Sequence, residues 1–269
     1  MKKIFLIVFL AAFVAQSMAA VTNSYGNQSI DYAGGQNSIF LSDNTTSPEV
    51  CLSVAPITFY DDFVGPTVVF VANGNTITGK WAKKVTGANE TVAGGSDGLN
   101  GFATLTLNSS TEIEQATLYA NDEQNWLIGQ GLVFQARVNF SVLPTGTVEA
   151  YIGLNGATSS AGSAYRCNFR CTGSGLIKCS TDDNSTDSGL ITSGVTVVAN
   201  QWVILTIDAS IATSVKFYIN GNRVASSTTF AYADTTNVQP YFSLCKSTAG
   251  VATVGTMNVD YVRIWQNRK

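Results

Sequence analysis

The sequence predicts an all-β chain, an antiparallel β-sandwich or jelly roll. Three observations carry that expectation. Apolar and polar residues alternate with period 2 over several runs. Turn residues separate those runs, Asn220-Gly221 most clearly. No run has the i, i+3, i+4 apolar spacing of an amphipathic helix. Composition agrees: charged residues are only 12%, about half the usual share. Solubility therefore rests on Thr, Ser, Asn and Gly, which suit strands and turns better than helices.

In chain order, Lys2 and Lys3 precede the apolar run Ile4 to Ala15, and Ser17-Met18-Ala19 supplies small residues before Ala20. That is the three-part build of a secretory signal peptide, expected at 1–19. The run is too short for a membrane span, which needs about twenty apolar residues, and no later stretch is long enough. Residues 20–56 are polar and lack sustained periodicity, with Pro48 and Pro56 near the end; they read as an N-terminal arm or linker. From Ile57 to Lys269 the strand signals repeat, as expected of one sandwich domain. "GLVFQARVNFSV" sets Leu132, Phe134, Ala136, Val138 and Phe140 against Gln135, Arg137 and Asn139. "VEAYIGLNG" sets Val148, Ala150, Ile152 and Leu154 against Glu149, Tyr151 and Asn155. "AYRCNFRC" sets Tyr165, Cys167, Phe169 and Cys171 against Arg166, Asn168 and Arg170. "QWVILTIDAS" is a more continuously apolar strand, and "SVKFYINGNRVAS" a hairpin turning at Asn220-Gly221.

Charge and cysteine content narrow the possibilities. The formal net charge is −3 and the pI about 4.9, more acidic still once Lys2 and Lys3 are removed. That excludes a nucleic-acid binder, which needs clustered cations to replace phosphate counterions. Five cysteines in an exported chain make disulfides plausible. In "YRCNFRCTGSGLIKCS" the Gly-rich TGSG reads as a hairpin turn that brings Cys179 back toward Cys167; a cross-strand disulfide between them is the expectation, and three buried free thiols are the alternative. Cys-x3-Cys-x7-Cys without histidine matches no strong zinc spacing.

Four stretches carry a resemblance. "FYDDF" opening the domain, "QGLVFQARVNF" in its middle, "VKFYINGNRVA" near its end and "MNVDYVRIWQ" closing it resemble the concanavalin A-like lectin/glucanase superfamily, over some 200 residues. The middle and closing stretches are similar to family 16 glycoside hydrolases and their laminin-G-like relatives. The chain is also similar to sandwich domains of unassigned function in tailed-phage and bacterial genomes. The resemblance implies a concanavalin A-like jelly roll. It also implies that Asp260, in the closing strand, meets the opening strand. There it would ligate a structural calcium with Asp62 (or Asp61) and carbonyls near Gly65; a hydrogen-bonded carboxylate is the alternative.

The activity of family 16 is not implied so readily. Its pattern places two carboxylates on one strand as Glu-x-Asp-x-x-Glu or Glu-x-Asp-x-Glu, and retaining hydrolysis needs two carboxyl groups about 5 Å apart. Here Glu149 is the only carboxylate in "VEAYIGLNG" and "AYRCNFRC", and Asp182, Asp183 and Asp187 read as loop residues. The chain has no histidine, which removes Ser-His-Asp and Cys-His pairs. A non-enzyme is the expectation.

Gln135, Arg137, Asn139, Glu149, Tyr151, Arg166, Asn168 and Arg170 fall on the polar faces of three strands expected to be neighbours. Planar amides, guanidinium groups and carboxylates match sugar hydroxyls, and aromatic faces stack on sugar C–H groups. These eight are the glycan-binding candidates, for a secreted or cell-surface module that binds a polysaccharide or cell-surface glycan. The alternatives are a structural surface protein, self-associating or contacting virion or envelope proteins, and a divergent glycan hydrolase or lyase.

Overall fold

A computed structural model describes residues 57–63, 71–72, 81–94, 101–156, 164–233, 235–250 and 252–267. The expected signal peptide and arm, Cys51 and Gly65 lie outside them. Thr58–Gln266 forms one compact unit.

Two eight-stranded sheets stack face to face. Sheet 1 runs β14 (Asn222–Val224), β13 (Lys216–Ile219), β12 (Trp202–Ala209), β7 (Leu132–Val142), β16 (Thr253–Gln266), β5 (Ala103–Ser110) and β4 (Thr91–Gly94), with β1 (Ile57–Asp61) also paired to β16. Sheet 2 runs β11 (Ile191–Thr196), β10 (Leu176–Asp183), β9 (Tyr165–Cys171), β8 (Val148–Asn155), β15 (Gln239–Lys246), β6 (Glu114–Tyr119), β3 (Ala82–Thr86) and β2 (Val71–Ala72). Pairing is antiparallel from β14 to β4 and from β11 to β3. Among the described residues the only helix is a three-residue 3-10 turn, Gly173–Gly175, which closes the β9–β10 hairpin. No described helix is long and apolar enough to cross a membrane.

The alternation read from the sequence builds the core. Leu132, Phe134, Ala136, Val138 and Phe140 point inward from β7 to meet Val148, Ala150, Ile152 and Leu154 of β8, and all are buried. Phe217 packs edge-on against Phe169 and Phe230, with ring centroids 5.1 and 4.8 Å apart. Each such side chain contributes about 1.5–3 kcal/mol through burial. The β13–β14 hairpin turns where expected: Asn220 (φ 50°) and Gly221 (φ 80°) both adopt the left-handed backbone of a two-residue turn.

The expected Cys167–Cys179 disulfide is not formed. Cys167, Cys171, Cys179 and Cys245 are all free and buried. The hairpin does return β10 alongside β9, but its register sets Thr181 opposite Cys167 and Phe169 opposite Cys179, so the two thiols are diagonal. Burial pushes the Cys171 and Cys179 thiols up to about 12 and that of Cys167 well above its ordinary value. They behave as small apolar core residues.

The aspartate in the closing strand sits at an irregularity. Val259 pairs with Val138 and Tyr261 with Arg137, which leaves Asp260 as the extra residue of a β-bulge. The bulge lets a carboxylate interrupt an otherwise alternating strand without entering the core.

Candidate functional site

The structure divides the eight candidate residues between two sheets. Gln135, Arg137 and Asn139 lie on β7 in sheet 1, whereas Glu149 and Tyr151 on β8, and Arg166, Asn168 and Arg170 on β9, lie in sheet 2. Both groups occupy faces turned away from the shared core, so they stand on opposite sides of the sandwich. The expectation that the three strands are neighbours is corrected: the chain crosses between sheets after β7, and alternation within a strand carries no information about which sheet it joins.

On sheet 1, Arg137 places its guanidinium 4.8 Å above the Trp202 ring and donates to Asp260 Oδ2 at 2.7 Å. Gln135 Oε1 accepts from the Tyr261 hydroxyl (3.1 Å) and Arg263 Nε (2.9 Å), while its amide nitrogen donates to Thr206. Asn139 accepts from Asn258 at 3.5 Å.

The implied calcium ligands are in this neighbourhood, because β1 pairs with β16. Burial, then the charges of Asp62 and Asp260, push the Tyr60 hydroxyl up, so the two ends of the domain do meet. Of the implied calcium ligands, Gly65 lies outside the described residues, and Asp260 and Asp61 have the following partners. Asp260 faces the Arg137 guanidinium. Asp61 accepts from the Phe63 N–H and the Trp81 indole N–H, both at 2.9 Å. Among the described residues no group of three or more acidic, Cys or His side chains could hold a metal. Asp61 and Asp260 thus each meet hydrogen-bond donors.

On sheet 2 the candidates come together. Register sets Tyr151 opposite Arg170 and Asn155 opposite Arg166. Arg170 ion-pairs with Glu149 and lays its guanidinium 4.8 Å over the Tyr151 ring. The Tyr151 hydroxyl donates to the same Glu149 oxygen at 2.6 Å. Burial, reinforced by Glu149, pushes that hydroxyl well above its ordinary value. Glu149 and Arg170 keep 30% and 14% of their side chains exposed, so the pair is reachable from solvent. Arg166 ion-pairs with Asp182 at 2.8 Å and Asp187 at 3.0 Å. Asp182 belongs to β10, directly opposite Arg166, and not to the loop read from the sequence. Asn168 donates to Asn155 at 3.1 Å. Its buried Oδ1, and Arg170 Nε, have no hydrogen-bond partner among the described residues.

Sequence reasoning missed the rest of this face. β15 and β6 extend it: Tyr241 stands opposite Gly153 and Tyr119, Ser243 opposite Tyr151 and Thr117, and Cys245 opposite Glu149 and Gln115. Tyr119, Tyr151, Tyr241 and Cys245 form a second buried cluster, distinct from the main core. The Thr117 and Ser243 hydroxyls hydrogen-bond at 2.7 Å, and the Gln115 amide donates to Thr117. The alternation Gln239, Tyr241, Ser243, Cys245 was a signal that could have marked β15 as a contributor.

A two-sheet jelly roll with a polar, hydrogen-bonded face defines a class of protein. A family model described as the concanavalin A-like lectin/glucanases superfamily matches residues 114–268, and this chain belongs to that superfamily. Among solved structures it is similar to a protein of unknown function from Shewanella oneidensis MR-1, at 15% identity and TM-score 0.56, over 83% of this chain and 91% of that one. It is also similar to a putative beta-glucanase from Mycobacterium abscessus (15% identity, TM-score 0.50) and a family 16 endo-glucanase from Bacteroides ovatus (11%, TM-score 0.50). Each of these matches covers 77% of this chain and 99% of the other. Likeness at this identity is likeness of fold. No curated protein matches the chain.

Proposed function

We propose that this chain is an exported, non-catalytic glycan-binding module whose ligand lies on the outward face of sheet 2, over Glu149, Tyr151, Arg166 and Arg170. The observation that carries this reading is the Glu149–Tyr151–Arg170 assembly. An ion pair clamped on an aromatic ring fixes planar donors and acceptors before any ligand arrives, so little side-chain entropy is lost on binding. Arg166, held by two aspartates, extends the same array along β9. The leader-like N-terminus supports export.

Two features favour binding over turnover. Glu149 is the only carboxylate on β8, whereas hydrolysis with retention takes two about 5 Å apart. A lyase would need a readily ionised tyrosine, and the Tyr151 hydroxyl is shifted the wrong way for proton abstraction.

A glycan array with wild type, Glu149→Gln and Arg170→Ala tests the proposal. Wild type should bind a defined set of glycans, and each variant should lose at least about tenfold in affinity, the worth of one charge-assisted hydrogen bond. No sugar signal, with self-assembly or co-purification with particles, would move the chain to the structural class. Turnover of a β-glucan that Glu149→Gln abolishes would make it a hydrolase.

A further inference from the structure

Behind the Glu149 end of the candidate site, on the core-facing side of sheet 2, lies a cluster of ionisable groups that the glycan-binding proposal does not use. Three of the chain's passages between the sheets at this end meet there: from β3 to β4, from β5 to β6 and from β15 to β16. Each passage contributes to one buried cluster. Glu90 ends the β3–β4 turn, Glu114 begins β6 and Lys246 ends β15. Glu114 and Lys246 are fully buried and Glu90 is 6% exposed. The Lys246 ammonium lies 2.9 Å from Glu114 Oε2 and donates to the Ser110 carbonyl at 2.6 Å. The Ser110 hydroxyl donates to Glu114 Oε1 at 2.6 Å. Glu90 is buried with them, its Oε2 accepting from the Asn89 N–H at 3.2 Å, and Glu90 and Glu114 each shift the other's titration.

Charge counting makes this cluster unusual. Two buried carboxylates against one ammonium would leave an uncompensated negative charge, which low-dielectric surroundings penalise by several kcal/mol. One proton between the carboxyl groups removes the excess and makes a carboxyl–carboxylate hydrogen bond. It also gives a role to Glu90 Oε1, which is buried and has no other partner among the described residues. The turn is shaped around that carboxyl. At Gly87, φ is +113°, and a Cβ there would stand 2.3 Å from Glu90 Oε2. Among the described residues, the other elements packed here bring no second cation into the cluster. β4 and β5 carry no ionisable side chain, and Glu112, in the β5–β6 turn, is exposed. The Lys83 ammonium is engaged with the Val92 carbonyl at 3.5 Å.

We propose that Glu90, Glu114 and Lys246 form a proton-operated latch: a single proton shared by the two glutamates holds the three sheet-crossing turns together, and its loss opens this end of the sandwich. Geometry sets the direction of response. Burial, with the neighbouring Glu114, raises Glu90 above its ordinary 4.5. Burial opposes the shift of Glu114, but hydrogen bonds from Ser110 and Lys246 hold it below 4.5. A raised acid binds its proton more tightly in the folded state. The stability it supplies is therefore present below about pH 4.5 and is lost as pH rises through the folded-state value. The latch opens on the alkaline side.

Hydrogen exchange of the whole chain across pH 5 to 9, corrected for intrinsic rates, tests this. In wild type, protection of amides in 86–90 and 246–254 should fall with rising pH while that of β7 and β8 stays constant. Glu90→Gln, whose amide donates to Glu114 at every pH, should remove the pH dependence. Gly87→Ala, which displaces the Glu90 carboxyl, should leave the same amides poorly protected throughout. Infrared difference spectra of wild type should show a protonated carboxyl stretch at neutral pH that Glu90→Gln lacks; this readout also serves if the glycine variant does not fold. Wild-type protection independent of pH, a Glu90→Gln variant with unchanged pH dependence, or no protonated carboxyl band would each overturn the latch.

Discussion

Lys246→Met should be the most damaging single substitution at the crossover end of the sandwich. The ammonium is fully buried, 2.9 Å from Glu114 Oε2 and bonded to the Ser110 carbonyl. Methionine fills nearly the same volume, so the packing loss is small. What remains is Glu114 buried beside Glu90 with no cation. Breaking a buried ion pair by removing one partner costs about 3–5 kcal/mol. In a domain of this size about 1 kcal/mol moves Tm by about 2–4 °C, so a fall of about 6–20 °C is expected in thermal unfolding at pH 7. The loss should shrink as pH falls, because the carboxyl pair can then take up a second proton. The double variant Glu114→Leu/Lys246→Met removes both charges and should recover most of the loss, which denaturant midpoints at constant slope would measure. A single variant within about 1 kcal/mol of wild type, or a double variant no better than the single, would refute the reasoning.

Two further outcomes follow from other carboxylates. Asp260→Asn should cost no more than about 1 kcal/mol, because its partner Arg137 is 38% exposed and solvent screens the pair; Tm should be indifferent to a chelator in both forms, and a chelator-sensitive Tm in wild type alone would restore the calcium ligand role. Asp183 accepts from the Ser185, Thr186 and Ala233 N–H groups at 2.9, 2.6 and 2.7 Å. Burial opposes ionisation, yet those three donors hold the carboxyl below its ordinary 3.8. Its contribution is complete above about pH 4 and is lost as acid titrates it in the folded state. Asp183→Asn should therefore flatten the acid limb of a Tm–pH profile, and an unchanged acid limb would show that the aspartate is not its source.

How much of this was legible beforehand varies with the physical range of each interaction. The strands of β7, β8 and β9 could be read residue by residue, because alternation is a local property and each inward side chain is apolar. The Asn220-Gly221 turn could be read because both residues tolerate a positive φ. Asp260 stood out as a carboxylate in a strand, though its bulge and its pairing with Arg137 depend on how β7 and β16 register, 123 residues apart. Asp182 was misplaced in a loop because the polar string "STDDN" has turn-like composition; opposite Arg166 it continues a strand. The Cys167–Cys179 pairing failed by two residues of register, which no composition encodes.

The candidate site shows the same division. The sequence by itself determined the fold class and the set of polar side chains that would face away from the core, since period-2 patterning decides which face of a strand is buried. Tertiary structure alone decided which of those side chains share a surface. The polar faces of β7 and β8 are alike in pattern, but the chain crosses to the other sheet between them, and so Glu149 meets Arg170 while Arg137 meets Asp260 on the far side. Glu90, Glu114 and Lys246 gave no local signal, because a buried charge is tolerated only through partners that the chain delivers from three separate crossings.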